Sequence, residues 1–304
     1  MDFDQVRTFL EVAKLGSFSR AGHKVFRSQS AVSAQVRQLE EEYGEKLLDR
    51  SGKSVRLTPA GEVFLEYAQR LVAVRDESLR AVADQGNDPR GILAIGANEA
   101  TCLYVLPDVF AEYLRLYPSV QISIYRNFSH KILERLDLGL IDVGIVTLPV
   151  KLPALRARTI FRDQLMLMVG ADHPLARHES VSISMVVQHP LILPRTGYTR
   201  QIMDRLFRPY RAELKVRMEL PSVGMIKSFV AAGLGVSLIS SSFARDEVRS
   251  GRVKLINLKD NELWRELGVV YQKNRSLPRA AQAFVELIQR RTTSAGLNSG
   301  PHPS

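Results

Sequence analysis

Cysteine is almost missing from this chain. Among 304 residues only Cys102 is present, so no internal disulfide can form. The opening Met1-Asp2-Phe3-Asp4 lacks the cationic and then apolar stretch of a secretory leader, and the expected location is the reducing cytoplasm. Long hydrophobic runs are missing too. The longest, Phe229 to Ile239, includes two glycines and a serine and falls well short of the ~20 residues that cross a bilayer. No membrane partner is expected.

Signatures of catalysis, metal binding and nucleotide binding are equally scarce. Gly52-Lys53-Ser54 would need a glycine five residues ahead of Gly52 to form a phosphate loop, and Leu47 stands there. Gly233-Leu234-Gly235 has no third glycine and reads as a helix stop. His173 and His178 flank Pro174 without a third histidine or a cysteine nearby, and spacing supplies Cys102 with no histidine or asparagine partner. The expectation is a protein without metal, cofactor or catalytic residues.

What is present is an ordinary globular composition, 45% hydrophobic and 24% charged, over a length that suits two or more cooperating units. The net charge of +10 suggests a polyanionic partner. Its distribution does not locate one. Residues 1–60 hold 10 Lys and Arg against 8 Asp and Glu, residues 61–90 hold 4 against 6, and the remainder holds 28 against 18.

The first ninety residues read as helices. Phe3, Val6, Phe9, Leu10 and Ala13 recur at helical spacing up to Gly16, and Ser17 can cap a short second helix containing Phe18, Ala21, Gly22 and Val25. A third follows Ser28 and runs to about Tyr43, with Ala31, Val32, Val36 and Leu39 on one face. Leu47-Leu48 and Val55-Arg56-Leu57 look like arms of a small hairpin. Thr58-Pro59 then opens a helix reaching about Asp84, whose Phe64, Tyr67, Leu71, Val74 and Ala81 keep a seven-residue rhythm suited to packing on another long helix. Gln85 to Gly91 reads as a hinge. From Ile92 onward short apolar runs, Leu165 to Val169 among them, alternate with helical patterns that include Tyr104 to Tyr117 and Thr199 to Arg211, which predicts parallel sheets covered by helices, and the polar tail from Thr292 is expected to be disordered.

Helix, tight turn, helix and hairpin is the layout of a winged helix-turn-helix, whose second helix enters the major groove of DNA. Gln29, Ser30 and Ser33 lie on the first turns of that helix, away from the Val32, Val36 and Leu39 stripe, and can meet base edges or phosphates; Arg37 suits phosphate. Helix pairs with polar starts are common, so these residues also fit an ordinary solvated face.

The run Phe9-Leu10-Glu11-Val12-Ala13, Gly16-Ser17-Phe18-Ser19-Arg20-Ala21, Ser28-Gln29-Ser30-Ala31-Val32-Ser33, Leu39-Glu40, Gly44, Leu47, Asp49-Arg50 and Leu57-Thr58-Pro59-Ala60-Gly61 closely resembles the signature of LysR-type transcriptional regulators. The resemblance implies that Gln29, Ser30, Ser33 and Arg37 belong to the DNA-reading helix and that Arg50, Lys53 and Arg56 flank or form the wing. Two departures are visible. Gly22 stands where the family usually has alanine, at a cost of up to ~1 kcal/mol in a helix interior, and Leu48 where it usually has phenylalanine. Ala34, where many relatives carry a long polar side chain, leaves fewer base contacts.

Beyond the hinge the pattern resembles the family's effector domain, two α/β lobes similar to periplasmic binding proteins with a small molecule between them. The implied organisation is an all-α winged helix-turn-helix at 1–58, a dimerisation helix and hinge at 59–90, the two-lobed effector domain at 91–292 and a tail at 293–304. Family effector contacts come from loops at strand ends, which carries them onto Asn98, Thr101, Thr147, Thr199 and Ser222. Glu99 would repel an anion at the first of these and Arg200 would attract one, so the sign of the effector stays open. The reading is a homodimer or homotetramer that binds operator DNA and responds to a small molecule. Alternatives are an α/β binding protein or enzyme whose N-terminus only mediates assembly, and a constitutive DNA binder with a vestigial cleft.

Overall fold

Three polar side chains begin the first three helices. The Asp2 carboxylate accepts from the Gln5 backbone N–H while the Gln5 side chain accepts from the Asp2 N–H, which opens α1 (Phe3–Leu15). Ser17 caps α2 (Phe18–Val25) through Arg20 N–H, and Ser28 caps α3 (Gln29–Tyr43) through Ala31 N–H. Their apolar faces enclose Val6, Phe9, Val12, Ala21, Val32, Val36 and Leu39. The hairpin is two residues per strand, β1 (Leu48–Asp49) antiparallel to β2 (Arg56–Leu57), and α4 (Pro59–Ala83) follows. The computed structural model describes residues 1–51, 54–83, 88–259 and 262–294. It divides into two compact units, Met1–Asn87 with Asp137–Ile141, and Asp88–Leu136 with Asp142–Ser304.

Helix α4 departs from the expected rhythm at Phe64. That ring is buried in the first unit's own core, edge-on to Phe9 with centroids 4.9 Å apart. Burying it contributes roughly 1.5 to 3 kcal/mol. Gly61 explains how the helix comes so close to the hairpin: a Cβ there would lie 1.9 Å from the Leu47 carbonyl oxygen.

The second unit runs β3 (Gly91–Ala97), α5 (Glu99–Tyr104), α6 (Leu106–Leu116), β4 (Val120–Arg126), α7 (Ser129–Asp137), β5 (Val143–Thr147) and β6 (Leu155–Gly170). Then come β7 (Ser180–Val181), α8 (Ile183–Val186), β8 (Leu191–Pro194), α9 (Tyr198–Leu206), β9 (Val216–Leu220), α10 (Val223–Ala231) and β10 (Ser237–Ser240). It closes with α11 (Arg245–Arg249), β11 (Val253–Leu258), β12 (Leu263–Gln272) and α12 (Arg279–Ser294). One lobe joins β4, β3 and β5 in parallel, with Leu93, Ile95, Val143 and Ile145 packed on Leu106, Tyr113 and Phe284. The other centres on Leu167, Val169, Leu191, Phe207, Val236 and Ile256.

The expectation of parallel sheets holds only in part. β12 runs antiparallel to β5 and β6, and both β10 and β11 run antiparallel to β6. The cause is β6 itself, sixteen residues long where the sequence suggested Leu165 to Val169. Its first part pairs with β12 and its last with β10 and β11, so one strand threads both lobes. The early part hides because Arg156, Arg158 and Arg162 interrupt its apolar residues. The helix expected over Tyr104 to Tyr117 is instead broken at Val105, before Pro107 at the start of α6. That expected over Thr199 to Arg211 stops at Leu206, ahead of a 3-10 turn holding Pro209. At the C-terminus α12 continues through Ser294, where disorder was expected from Thr292; Thr292 Oγ1 donates to the carbonyls of Ile160 and Ile288. The remainder of the expected tail and residues 85–87 of the hinge lie outside the described residues.

Candidate functional site

The N-terminal end of α3 is open. Gln29 and Ser30 are exposed in its first turn, the Ser28 and Ser30 hydroxyls lie 2.9 Å apart, and Arg37 is exposed two turns on. The opposite side of α3 is held down by Thr8 Oγ1, which donates to Gln35 Oε1 at 2.7 Å, and by Gln5 Nε2, which donates to Gln38 Oε1 at 3.0 Å. Gln29, Ser30 and Arg37 therefore share the outward side.

Arg50 and Ser33 sit differently. Arg50 donates to Ser33 Oγ at 3.1 Å and to Glu40 Oε2 at 3.1 Å, and its guanidinium stacks 4.6 Å from the Phe18 ring centroid. It braces the hairpin against α3. Arg56, on β2, is exposed, and Lys53 lies outside the described residues. Glu40, which the sequence offered only as part of a signature, is the anchor: 3% exposed, it accepts from the backbone N–H of Leu47 and Leu48 at 3.0 and 3.1 Å and pairs with Lys46 at 3.3 Å.

In the second unit the expected effector residues fall in two places. Asn98 caps α5 by accepting from Thr101 N–H at 2.9 Å. Thr101 is fully buried, and its Oγ1 has no hydrogen-bond partner among the described residues. Ser222 begins α10 without capping it; its Oγ instead donates to Glu99 Oε1 at 2.7 Å, while Arg126 holds Glu99 Oε2 at 2.6 Å. Ala100 packs with Ile226 and Phe243, so α5 lies directly on the other lobe. These three residues thus belong to a seam where the lobes touch.

Thr147 and Thr199 lie beside a cavity of about 450 Å³ lined by Leu148, Pro149, Val150, Ala157, Tyr198, Trp264 and Glu266. Leu148 and Tyr198 are their immediate chain neighbours. Arg162 stacks 4.7 Å from the Trp264 ring and lies 3.9 Å from Glu266. The lining is mostly apolar, with one carboxylate. Where β6 pairs with β12, the buried Asp163 accepts from Ser241, Ser242 and Arg265, and burial is the main influence lowering the affinity of Arg265 for its proton. Arg200, once a candidate for holding an anion, is occupied by Asp204 at 2.7 Å and Glu219 at 2.8 Å. Among the described residues no cluster of three or more His, Cys, Asp or Glu could hold a metal, and no helix is long and apolar enough to cross a membrane.

Residues 3–62 match the family model described as bacterial regulatory helix-turn-helix protein, lysR family, and residues 86–293 match that of the LysR substrate binding domain. The chain belongs to the LysR family. It is 30% identical over 288 residues to a probable RuBisCO transcriptional regulator of Chlorokybus atmophyticus, covering 92% of each chain. Full-length OxyR from Pseudomonas aeruginosa superposes with a TM-score of 0.70 at 25% identity, covering 95% of this chain and 98% of that one. CbnR, solved in complex with its target DNA, shares the fold at 21% identity with a TM-score of 0.71, over 96% of this chain and 100% of that one. As a LysR-family member the protein is a transcriptional regulator, with a DNA-binding helix-turn-helix and an effector-binding domain, and not an enzyme.

Sequence reasoning missed the Glu99–Ser222 bridge and the part of Trp264. Glu99 read only as a carboxylate that would repel an anion, and a contact 123 residues apart has no local signal. Trp264 sits in a strand run interrupted by Arg265 and Glu266, which concealed its place in the cavity wall.

Proposed function

We propose that Gln29, Ser30 and Arg37 of α3 meet the major groove, with Ser33 positioned by Arg50 and with Arg56 and Lys53 supplying phosphate contacts from the wing. The observation that carries this reading is the open first turn of α3, polar and exposed while the helix's other side is tied to α1. The effector occupies the cavity beside Thr147 and Thr199. Its apolar lining, and the engagement of both Glu99 and Arg200 by protein partners, support a small and largely uncharged effector with an aromatic or aliphatic face. Asn98, Thr101 and Ser222 serve lobe closure, and the ligand acts by preferring one lobe arrangement over another.

The protein works as a cytoplasmic homodimer or higher homo-oligomer paired through α4. Tyr67 and Val74, seven residues apart on that helix, are 59% and 62% exposed. Replacing both by Asp yields monomers in sedimentation. The test of the whole reading uses duplex DNA from the region upstream of the protein's own gene and a metabolite panel. Trp264, the sole tryptophan, reports ligand entry by its emission, and Gln29→Ala costs about 1 to 3 kcal/mol of binding to that duplex. Unchanged DNA affinity in Gln29→Ala removes α3 from the interface, and a metabolite that shifts DNA binding while leaving Trp264 emission untouched places the effector elsewhere.

A further inference from the structure

Phe26 is 96% exposed, more than any other large apolar side chain among the described residues. It occupies the turn between α2 and α3 with φ 56° and ψ 42°, the left-handed region that a bulky side chain rarely adopts. The turn demands that conformation: the N–H groups of Phe26 and Arg27 both donate to the Gly22 carbonyl, and a Cβ on Gly22 would lie 2.7 Å from the Arg27 carbonyl oxygen. Asparagine or glycine would fit the backbone better and leave no apolar ring in water. No packing among the described residues accounts for the ring.

We infer that Phe26 is a DNA contact, its ring resting on the apolar deoxyribose edge of the major groove where α3 enters. Phe26 lies two residues before Ser28, the cap of α3, and stands in one unbroken exposed run with Gln29 and Ser30. Lys24 and Arg27 are exposed on either side of it in sequence, and Arg27 pairs with Asp4 at 2.8 Å. Duplex DNA is the partner proposed for the start of α3, and it presents sugar carbons beside its phosphates. The ring adds apolar contact that no cation on this surface supplies. This inference rests on the reading of α3 as the DNA-facing helix.

The test compares full-length Phe26→Asn, Phe26→Leu and Gln29→Ala on the duplex from upstream of the protein's own gene and on a scrambled duplex. Phe26→Asn should unfold at the same temperature as the parent or higher, because asparagine tolerates the left-handed turn. It should nevertheless bind both duplexes roughly tenfold more weakly, with an unchanged slope of log affinity against log salt, since no cation is removed. Phe26→Leu should recover most of the loss. If Phe26→Asn binds within about twofold of the parent while Gln29→Ala binds weakly, the inference alone is overturned. If neither substitution weakens binding, the reading of α3 is overturned with it. A loss in Phe26→Asn that sedimentation traces to failed self-association assigns the ring to a contact between copies and also overturns it.

Discussion

Ser222 Oγ donates to Glu99 Oε1 at 2.7 Å, joining the first turn of α5 to the start of α10 across the two lobes. A serine at a helix start ordinarily caps its own helix; here the hydroxyl is spent on the neighbouring lobe, and α10 begins without a side-chain cap. Ser222→Ala should lower stability by about 0.5 to 1.5 kcal/mol, the net worth of one hydrogen bond, because Arg126 still partners Glu99. Glu99→Ala should lower it further, since Arg126 and Ser222 both lose their acceptor. Thermal unfolding of the full chain checks the order. Equal midpoints for parent and Glu99→Ala would show that the bridge contributes nothing to lobe closure.

Glu40 carries the wing. Its carboxylate accepts from two backbone N–H groups and pairs with Lys46 and Arg50, so Glu40→Ala leaves buried donors without acceptors. Buried pairs broken on one side cost about 3 to 5 kcal/mol, and the solvent access of Lys46 and Arg50 reduces this to about 2 kcal/mol. Chemical denaturation should report that loss together with weaker DNA binding. A destabilised protein that binds DNA at parental affinity would separate the hairpin from the interface.

The helices of the first unit were legible because their stops and starts are local: Ser17, Ser28, Gly16 and Gly44 act within a turn of themselves. The residues proposed to face DNA followed from the same local pattern and the family signature. The second unit was less legible where long-range pairing decides. Nothing near Arg156 or Arg158 announces that β6 continues through both lobes, since the pairing partner is β12, about a hundred residues later. The site divided the same way. Strand-end positions led to Thr147 and Thr199 beside the cavity, while Asn98, Thr101 and Ser222 fell at a seam whose existence depends on how the lobes meet.

Gly22 reverses an expectation from helix propensity. Alanine is better than glycine in a helix interior by up to ~1 kcal/mol, which makes Gly22→Ala look stabilising. The added Cβ, however, would sit 2.7 Å from the Arg27 carbonyl oxygen, a backbone atom that cannot rotate away. The α2–α3 turn must open, at an expected net cost of about 1 to 3 kcal/mol. Denaturant titration gives the sign. A more stable Gly22→Ala protein would mean that the turn relaxes without penalty.

The last expectation concerns pH. His173 and His189 meet edge-to-face with ring centroids 4.6 Å apart. Burial pushes both below the ordinary histidine value of 6.5, helped by the charge of His189 at His173 and by Lys215 at His189. His173 Nδ1 also accepts from Leu175 N–H at 3.2 Å, a bond that only an unprotonated Nδ1 can make. Because the folded form holds these protons less tightly than the unfolded chain, the unfolded chain binds more of them below about pH 6.5. The stabilising contribution is therefore complete above that value and is lost as pH falls through it. Unfolding free energy should decline between about pH 7 and pH 5, and His189→Asn should flatten that decline while changing stability little at pH 8. Denaturation curves that fall equally steeply for parent and His189→Asn would assign the acid sensitivity to other groups.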